Sequence, residues 1–412
     1  MYFRSWIILM IISCIASSQS LSKNDRFFLW LEHHGVSFRN MYIGNQSQPR
    51  GLYTNVSISQ SQKVISIPKH LLITEDMGEN TYVAQQLRNA NVKLKNPALN
   101  HIVLFLIHQI RHNGTANGIN FEPYMNLLPE SYNDFPIFWD GKQLGILGNS
   151  NFLMDINALK KKLQANYDKM NSSIPEFDKI CSLRRYMELY SFVSSRNFEF
   201  RVGEESILAL VPLADMINHD VNPKLAWSFN SMTNQFQMTS TQNIDEQREL
   251  TDSYGDSRNN ARFLLSYGFV PTQNDTYVMF RDLFPTSNYT ILETSLRRSV
   301  HFAKMFKQLS DSYSLIDALF YVVRVLFDRL CEYPTQMTQD IDNVLSLDQH
   351  SNAYSANMIV LEEKRILFYH LSLFQHILLT KYVDTYYRMD ETIDYIQDLN
   401  YFDNVIAPAF KL

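Results

Sequence analysis

Leu210-Val211-Pro212-Leu213-Ala214-Asp215-Met216-Ile217-Asn218-His219 is an apolar run broken by Asp215 and closed by Asn218 and His219. Two other stretches share this feature. One is Ser195-Arg196-Asn197-Phe198; the other starts at Ser253-Tyr254-Gly255-Asp256, passes through Asn259-Asn260 and ends at Tyr267-Gly268-Phe269. In all three, polar side chains stand where a strand pattern calls for apolar ones. Taken singly, each has an ordinary structural explanation. Asn218-His219 before Asp220 looks like a turn that caps a strand. Tyr254-Gly255 suits a buried tyrosine beside a turn glycine, Asp215 an N-cap, and Arg196 a solvated cation at a helix end. Their order and spacing along one chain is what those separate explanations leave unexplained.

The composition around them is globular. Of 412 residues, 45% are hydrophobic and 19% charged, which is not the profile of a disordered chain. The length predicts two or three structural units rather than one core. Lys and Arg number 37 against 42 Asp and Glu, a net charge of −5 that lacks the basic field of a nucleic-acid binder. Aromatics at 13% and only 12 Gly predict a well-filled, largely helical interior. Three cysteines exclude a disulfide scaffold and a multi-cysteine zinc cluster.

Working outward, the segment Ile207 to Phe236 predicts short strands with turns at His219-Asp220 and Asn222-Pro223. Upstream, Arg184 to Val193 reads as a helix. Ala98, Leu99, Ile102, Val103, Leu106 and Ile110 form an apolar stripe at helical spacing, begun by Pro97 and ended near Asn113-Gly114. Nearer the start, a short helix over Phe27 to His33 precedes Gly35, and Val64-Ile65-Ser66-Ile67 is a β-branched strand stopped by Pro68. Beyond about Arg281 the pattern is almost purely helical, with dense apolar residues at 3.6 spacing over Leu315 to Leu330 and Met358 to Tyr387. The fold class is therefore α+β: a β-containing body, a helical insertion and a helical C-terminal domain.

The N-terminus has the form of a secretory signal peptide over 1–18. Arg4 precedes an apolar stretch from Trp6 to Ile15, and Cys14-x-Ala16 resembles a cleavage site. That places the chain in the secretory pathway if the signal is cleaved, and in the cytoplasm or nucleus if it is not used. No later segment reaches the roughly 18 uninterrupted apolar residues of a membrane helix, so the mature chain is expected to have no span. Six glycosylation sequons, at Asn45, Asn55, Asn113, Asn171, Asn274 and Asn288, are close to the about four or five this composition gives by chance. Cleavage would leave Cys181 and Cys331, whose spacing does not decide whether they pair.

Together, the three polar-bearing stretches resemble the SET-domain methyltransferases, and more narrowly the class of the Rubisco large-subunit lysine methyltransferase and the actin histidine methyltransferase. The resemblance covers nearly the whole mature chain. Trp30-x4-Gly35 is similar to the class's opening, and Gly51-Leu52 with Ile67-Pro68-x2-Leu71-Leu72 to its first SET segment. Pro123-Tyr124-x3-Leu127-Leu128-Pro129 and Pro136-x2-Trp139 resemble its insert, and Glu363-Lys364-x-Ile366-Leu367 its helical domain. The resemblance implies SET segments at 22–79 and 191–280, a helical insert over 80–190, and a helical substrate-binding domain over 281–412. It also implies that the Asn-His and Tyr-Gly stretches thread into a pseudoknot, a rare exception to unthreaded connections.

Carried over by residue, the resemblance implies a site for S-adenosylmethionine made by Asn218 and His219, with Gly51, Asp215 and Asn260, and with Arg196 pairing the cofactor's carboxylate. Asn259 competes with Asn260 for its role. Tyr254 would stand at the transfer centre, with Phe198, Tyr267 and Ala214 lining the channel for the target side chain. No metal is implied. The implied partner is a protein substrate presenting a lysine, with no nucleic acid, to a monomeric enzyme. Phe198 and Ala214 favour lysine over histidine, the alternative target. Two departures bear on the cofactor: Gln247 stands where the family has a glycine, and Pro49, without a backbone N–H, stands at the first glycine of the loop near Gly51. The rival, a non-catalytic SET-fold binding module, would be marked by loss of Tyr254 or of Asn218-His219. Both are present.

Overall fold

Ser22 sets the start of the first helix, Lys23–His33. Its Oγ accepts from the Asp25 amide while the Asp25 carboxylate accepts from the Ser22 amide, a capping box that begins the helix four residues before the apolar pattern does. The computed structural model describes residues 21–44, 50–112, 115–255, 259–271, 278–281, 283, 291–294 and 300–382. The signal peptide expected over 1–18, Pro49, and sequons at 45, 113, 274 and 288 lie outside the described residues. The chain divides into two compact units, Met1–Glu130 with Lys162–Asp256, and Ser131–Lys161 with Ser257–Leu412.

Thirteen of the strands described lie in the first unit: β1 (Ser37–Phe38), β2 (Met41–Ile43), β3 (Leu52–Thr54), β4 (Lys63–Pro68), β5 (Ile73–Thr74), β6 (Thr115–Ala116), β7 (Ile119–Asn120), β8 (Asn197–Val202), β9 (Glu205–Leu210), β10 (Asn218–His219), β11 (Leu225–Asn230), β12 (Gln235–Ser240) and β13 (Glu249–Asp252). They form sheets in the orders β1-β4-β12-β11, β10-β13-β3-β2, β5-β9-β8 and β6-β7. The β-branched strand anticipated at Val64–Ile67 is the centre of β4. It pairs antiparallel with β12, setting Ile67 opposite Phe236 and Ile65 opposite Met238, all four fully buried. Pro68 is its last residue, where a missing ladder donor costs least.

The apolar stripe starting at Pro97 is the helix Pro97–His112. Its burial is wider than one stripe, because Ile102, Val103, Leu104, Phe105, Leu106 and Ile107 are all buried, whereas Ile110 is exposed. The helix packs against Glu75–Glu79, Tyr82–Asn89 and Leu183–Arg196 and so has little solvent face along its middle. The last of these, anticipated over Arg184 to Val193, is capped by Ser182 and extends to Arg196.

In the second unit the region past Arg281 is not purely helical, which corrects the sequence reading. β14 (Val278–Arg281) and β15 (Ile291–Thr294) make an antiparallel pair, Phe280 opposite Leu292. β-branched residues at 278, 291 and 294 supply the strand preference that the surrounding helical pattern obscured. Helices Val300–Leu309, Leu315–Cys331, Met337–Ser346 and Asn352–Tyr382 follow. The longest carries the Glu363-Lys364 motif into the interior. Glu363 accepts from Ser150 Oγ at 2.9 Å and Tyr333 Oη at 2.6 Å, and Lys364 donates to Thr335 O at 2.7 Å and pairs with buried Asp340. Cys181 is buried and Cys331 exposed, and both are free thiols. No helix among the described residues is long and apolar enough to cross a membrane.

Candidate active site

Asn218-His219, which alone resembles a turn, is instead strand β10. It runs parallel to β13, with Asn218 opposite Thr251 and His219 opposite Asp252. The pairing places Tyr254, two residues past β13, against His219. The Tyr254 amide donates to His219 Nδ1 at 3.1 Å, fixing the tautomer whose proton is on Nε2. The two rings lie 5.3 Å apart, and the Tyr254 hydroxyl donates to Ile217 O at 2.9 Å. That bond spends the phenol's proton on a backbone carbonyl, so its oxygen presents lone pairs. Gly255 follows at φ +115°, a left-handed conformation that favours glycine.

A second group of contacts holds Asn218 from below. Its Nδ2 donates to Arg50 O at 2.9 Å and Glu249 Oε1 at 2.7 Å. Gly51 sits against both partners: a Cβ there would come within 2.3 Å of Glu249 Oε1 and 2.7 Å of Asn218 Nδ2. Gln247, at the position expected to be glycine, adopts φ +60°, so the backbone keeps a glycine-type conformation. Its side chain accepts from Tyr42 Oη at 3.0 Å and donates to Asn55 Oδ1 at 3.1 Å, contacts a glycine would lack.

The apolar run ends under strain. Leu213, fully buried, has φ +82°, and the 3-10 turn Ala214–Met216 follows. Ala214 is buried there. Asp215 is 5% exposed; Tyr124 Oη donates to its Oδ2 at 2.7 Å, while Oδ1 has no hydrogen-bond partner. Burial raises the Asp215 pKa, and the Arg196 guanidinium and the Tyr124 hydroxyl oppose that rise. Arg196 ends its helix over the Phe192 ring and donates one N–H to Asp215 O. Asp252 is also buried, which pushes its carboxyl up to about 6. Phe198, half-buried on β8, lies edge-on to Trp227 at 5.7 Å and Phe236 at 5.0 Å.

Asn260 and Tyr267 belong to the second unit, at the two ends of the helix Asn260–Tyr267. Asn259 is the N-cap, its Oδ1 accepting from the Arg262 amide at 2.8 Å, which gives it a structural task. Asn260 is buried and donates to Glu362 Oε1 at 3.4 Å. Tyr267 packs on Phe263 and Phe269. Among the described residues, no cluster of His, Cys, Asp and Glu has the geometry to hold a metal ion.

Arg196, Asp215, Asn218, His219, Gly51 and Tyr254 therefore all lie in the first unit, with Arg196 bonded to Asp215, Gly51 against Asn218, and His219 against Tyr254. Two participants escaped the sequence reading of the site, Glu249 and Tyr124. Tyr124 had a signal, since it stands in the Pro123-Tyr124 motif. Glu249 had none.

The family model for the SET domain matches residues 49–255, half of the chain. The chain is a SET-domain protein. SET domain-containing protein 8 of Schizosaccharomyces pombe is 26% identical over 195 residues, 47% of this chain and 44% of the relative. The chloroplastic [fructose-bisphosphate aldolase]-lysine N-methyltransferase of Arabidopsis thaliana is 27% identical over 273 residues, 62% of this chain and 54% of the relative. The chain spans about half the length of the curated relatives it matches. Among solved structures, Rubisco LSMT bound to sinefungin and monomethyllysine is similar with a TM-score of 0.69 at 19% identity, covering 93% of this chain and 96% of that one. At that identity the likeness speaks for the fold, which is the α+β SET architecture with a helical C-terminal region. Within the SET domain, the matched span ends one residue after Tyr254 and includes the Gly51, Arg196, Asp215 and Asn218-His219 positions.

Proposed function

We propose that this SET-domain protein is an S-adenosylmethionine-dependent protein-lysine N-methyltransferase. The observation that carries this is the meeting of β10 and the end of β13, which puts Asn218, His219 and the Tyr254 hydroxyl in one place. Relatives named for lysine methylation of aldolase, and for N-methylation of the Rubisco large subunit in Pisum sativum, support the assignment.

The residues present fit the cofactor. Asp215 Oδ1 is a buried acceptor without a partner, suited to a cationic group. Arg196 has five N–H donors and commits one to Asp215 O, so it can also meet a carboxylate. S-adenosylmethionine supplies, when bound, the methyl group that is transferred. Asn218 and His219 would hold its adenosyl portion, and Gly51 leaves room for the Asn218 and Glu249 side chains.

For the protein's own residues, most of the work is alignment, because transfer to an amine is an in-line displacement. Tyr254, its proton committed to Ile217 O, accepts a hydrogen bond from the target amine and orients it. It has no need to act as a strong base. An apolar, aromatic channel with Phe198 and Ala214 disfavours the ammonium form by desolvation. Aromatic faces also attract the incoming lysine while it is still a cation.

Titration calorimetry with S-adenosylhomocysteine on the full chain is expected to show saturable binding, weakened at least about tenfold in Asn218→Ala through loss of its contacts to Arg50 and Glu249. No heat from the unmodified protein would end the enzyme assignment. Methyl incorporation into a lysine peptide library should fall about 100-fold or more in Tyr254→Phe through loss of alignment, with S-adenosylhomocysteine binding intact. Incorporation into histidine peptides alone would reassign the target.

A further inference from the structure

We propose that the first unit carries a second recognition site, a cleft that takes a short, extended, uncharged peptide segment through its main chain. It goes beyond methyl transfer and does not depend on it. The cleft has a volume of about 520 Å³, within the range of sites that hold ligands, and shares no lining residue with the Asn218–Tyr254 assembly.

Four side-chain amides line it: Asn80, Gln109, Asn117 and Asn234. Each offers one donor group and one acceptor group, which matches the N–H and C=O of a peptide bond. Two strand edges also line it, Thr74 of β5 and Thr115-Ala116 of β6. Both strands lie at the margin of their sheets, β5 pairing with β9 and β6 with β7, so each has a side not used in those ladders. Edges of this kind accept an added extended segment.

Gln109 gives the cleft an unmet requirement. It is 3% exposed, and its Nε2 has no hydrogen-bond partner. A buried donor left in that state is unfavourable, and a carbonyl from a docked main chain would satisfy it. Charge argues for an uncharged segment, since among the described residues of the lining Lys69 and Asp76 are the only Lys, Arg, Asp or Glu and they balance. A sugar is disfavoured because the described wall offers no Phe, Tyr or Trp stacking face, Phe105 being 1% exposed.

The test uses the full chain without cofactor and fluorescence polarisation with a library of labelled, end-blocked peptides built from Ser, Thr, Asn, Ala, Gly and Val. The absence of lysine and histidine keeps its outcome separate from that of the methyltransferase assignment. Saturable binding by members of the library is expected. N-methylation of alternate backbone nitrogens and the substitution Gln109→Leu should each weaken it about tenfold, while Asn218→Ala leaves it unchanged. Should Gln109→Leu fail to fold, the exposed pair Asn117→Ala and Asn234→Ala carries the same expectation. Absence of saturable binding, indifference to backbone N-methylation, stronger binding of acidic or basic versions, or displacement by neutral disaccharides would each overturn the proposal.

Discussion

Gly51 and Gln247 are each held by a different constraint, Gly51 by the Glu249 and Asn218 side chains beside it and Gln247 by its own backbone. Gly51 is defined by what cannot be there: a methyl would collide with the Glu249 carboxylate and the Asn218 amide. Gly51→Ala is expected to cost about 1–3 kcal/mol of stability, the range for overpacking, and to weaken S-adenosylhomocysteine binding by displacing Asn218. Denaturant melts and calorimetry on one preparation check both. Gln247 is defined by its backbone, and two side-chain hydrogen bonds offset the strain of φ +60°. Asp252 supplies a pH-dependent prediction. Its folded pKa is raised from 3.8 to about 6 by burial, so between those values the folded state holds more protons than the unfolded one. The contribution to stability is present below pH about 4 and lost as pH rises through about 6. Asp252→Asn should therefore stabilise the protein by about 1–3 kcal/mol at pH 7.5 and by little at pH 4, measured by urea unfolding at both.

At the scale of elements, the sequence revealed periodic helices well and pairings poorly. The Pro97–His112 and Leu183–Arg196 helices declare themselves through spacing and caps, and β4 through its β-branched run. The β14–β15 pair was masked by the helical pattern that follows it. Asn218, His219 and Tyr254 stood out as candidates only through their joint order and spacing with Arg196 and Asp215, since each alone has an ordinary structural explanation. Glu249 was not legible as a member of the site, because its partner lies 31 residues away and no local period records that separation; Tyr124, 91 residues from Asp215, stood in a recognised motif whose link to the site the sequence did not show. The Asn352–Tyr382 helix makes the cost of such distant partners measurable. Lys364 is 2% exposed and pairs with Asp340, 1% exposed, on the Met337–Ser346 helix. Lys364→Met strands a buried carboxylate and should cost about 3–5 kcal/mol in urea unfolding, while Lys364→Met with Asp340→Leu recovers most of it.

For the molecule as a whole, the two free thiols among the described residues fall one in each compact unit, Cys181 in the first and Cys331 in the second. Burial pushes the Cys181 thiol up to about 12, so at neutral pH it is almost entirely protonated and shielded. Cys331 is exposed at the end of its helix. A maleimide dye will therefore mark Cys331 within minutes and reach Cys181 only when the first unit opens. Its slow uptake becomes a clock for the opening of the first unit, read without any substrate.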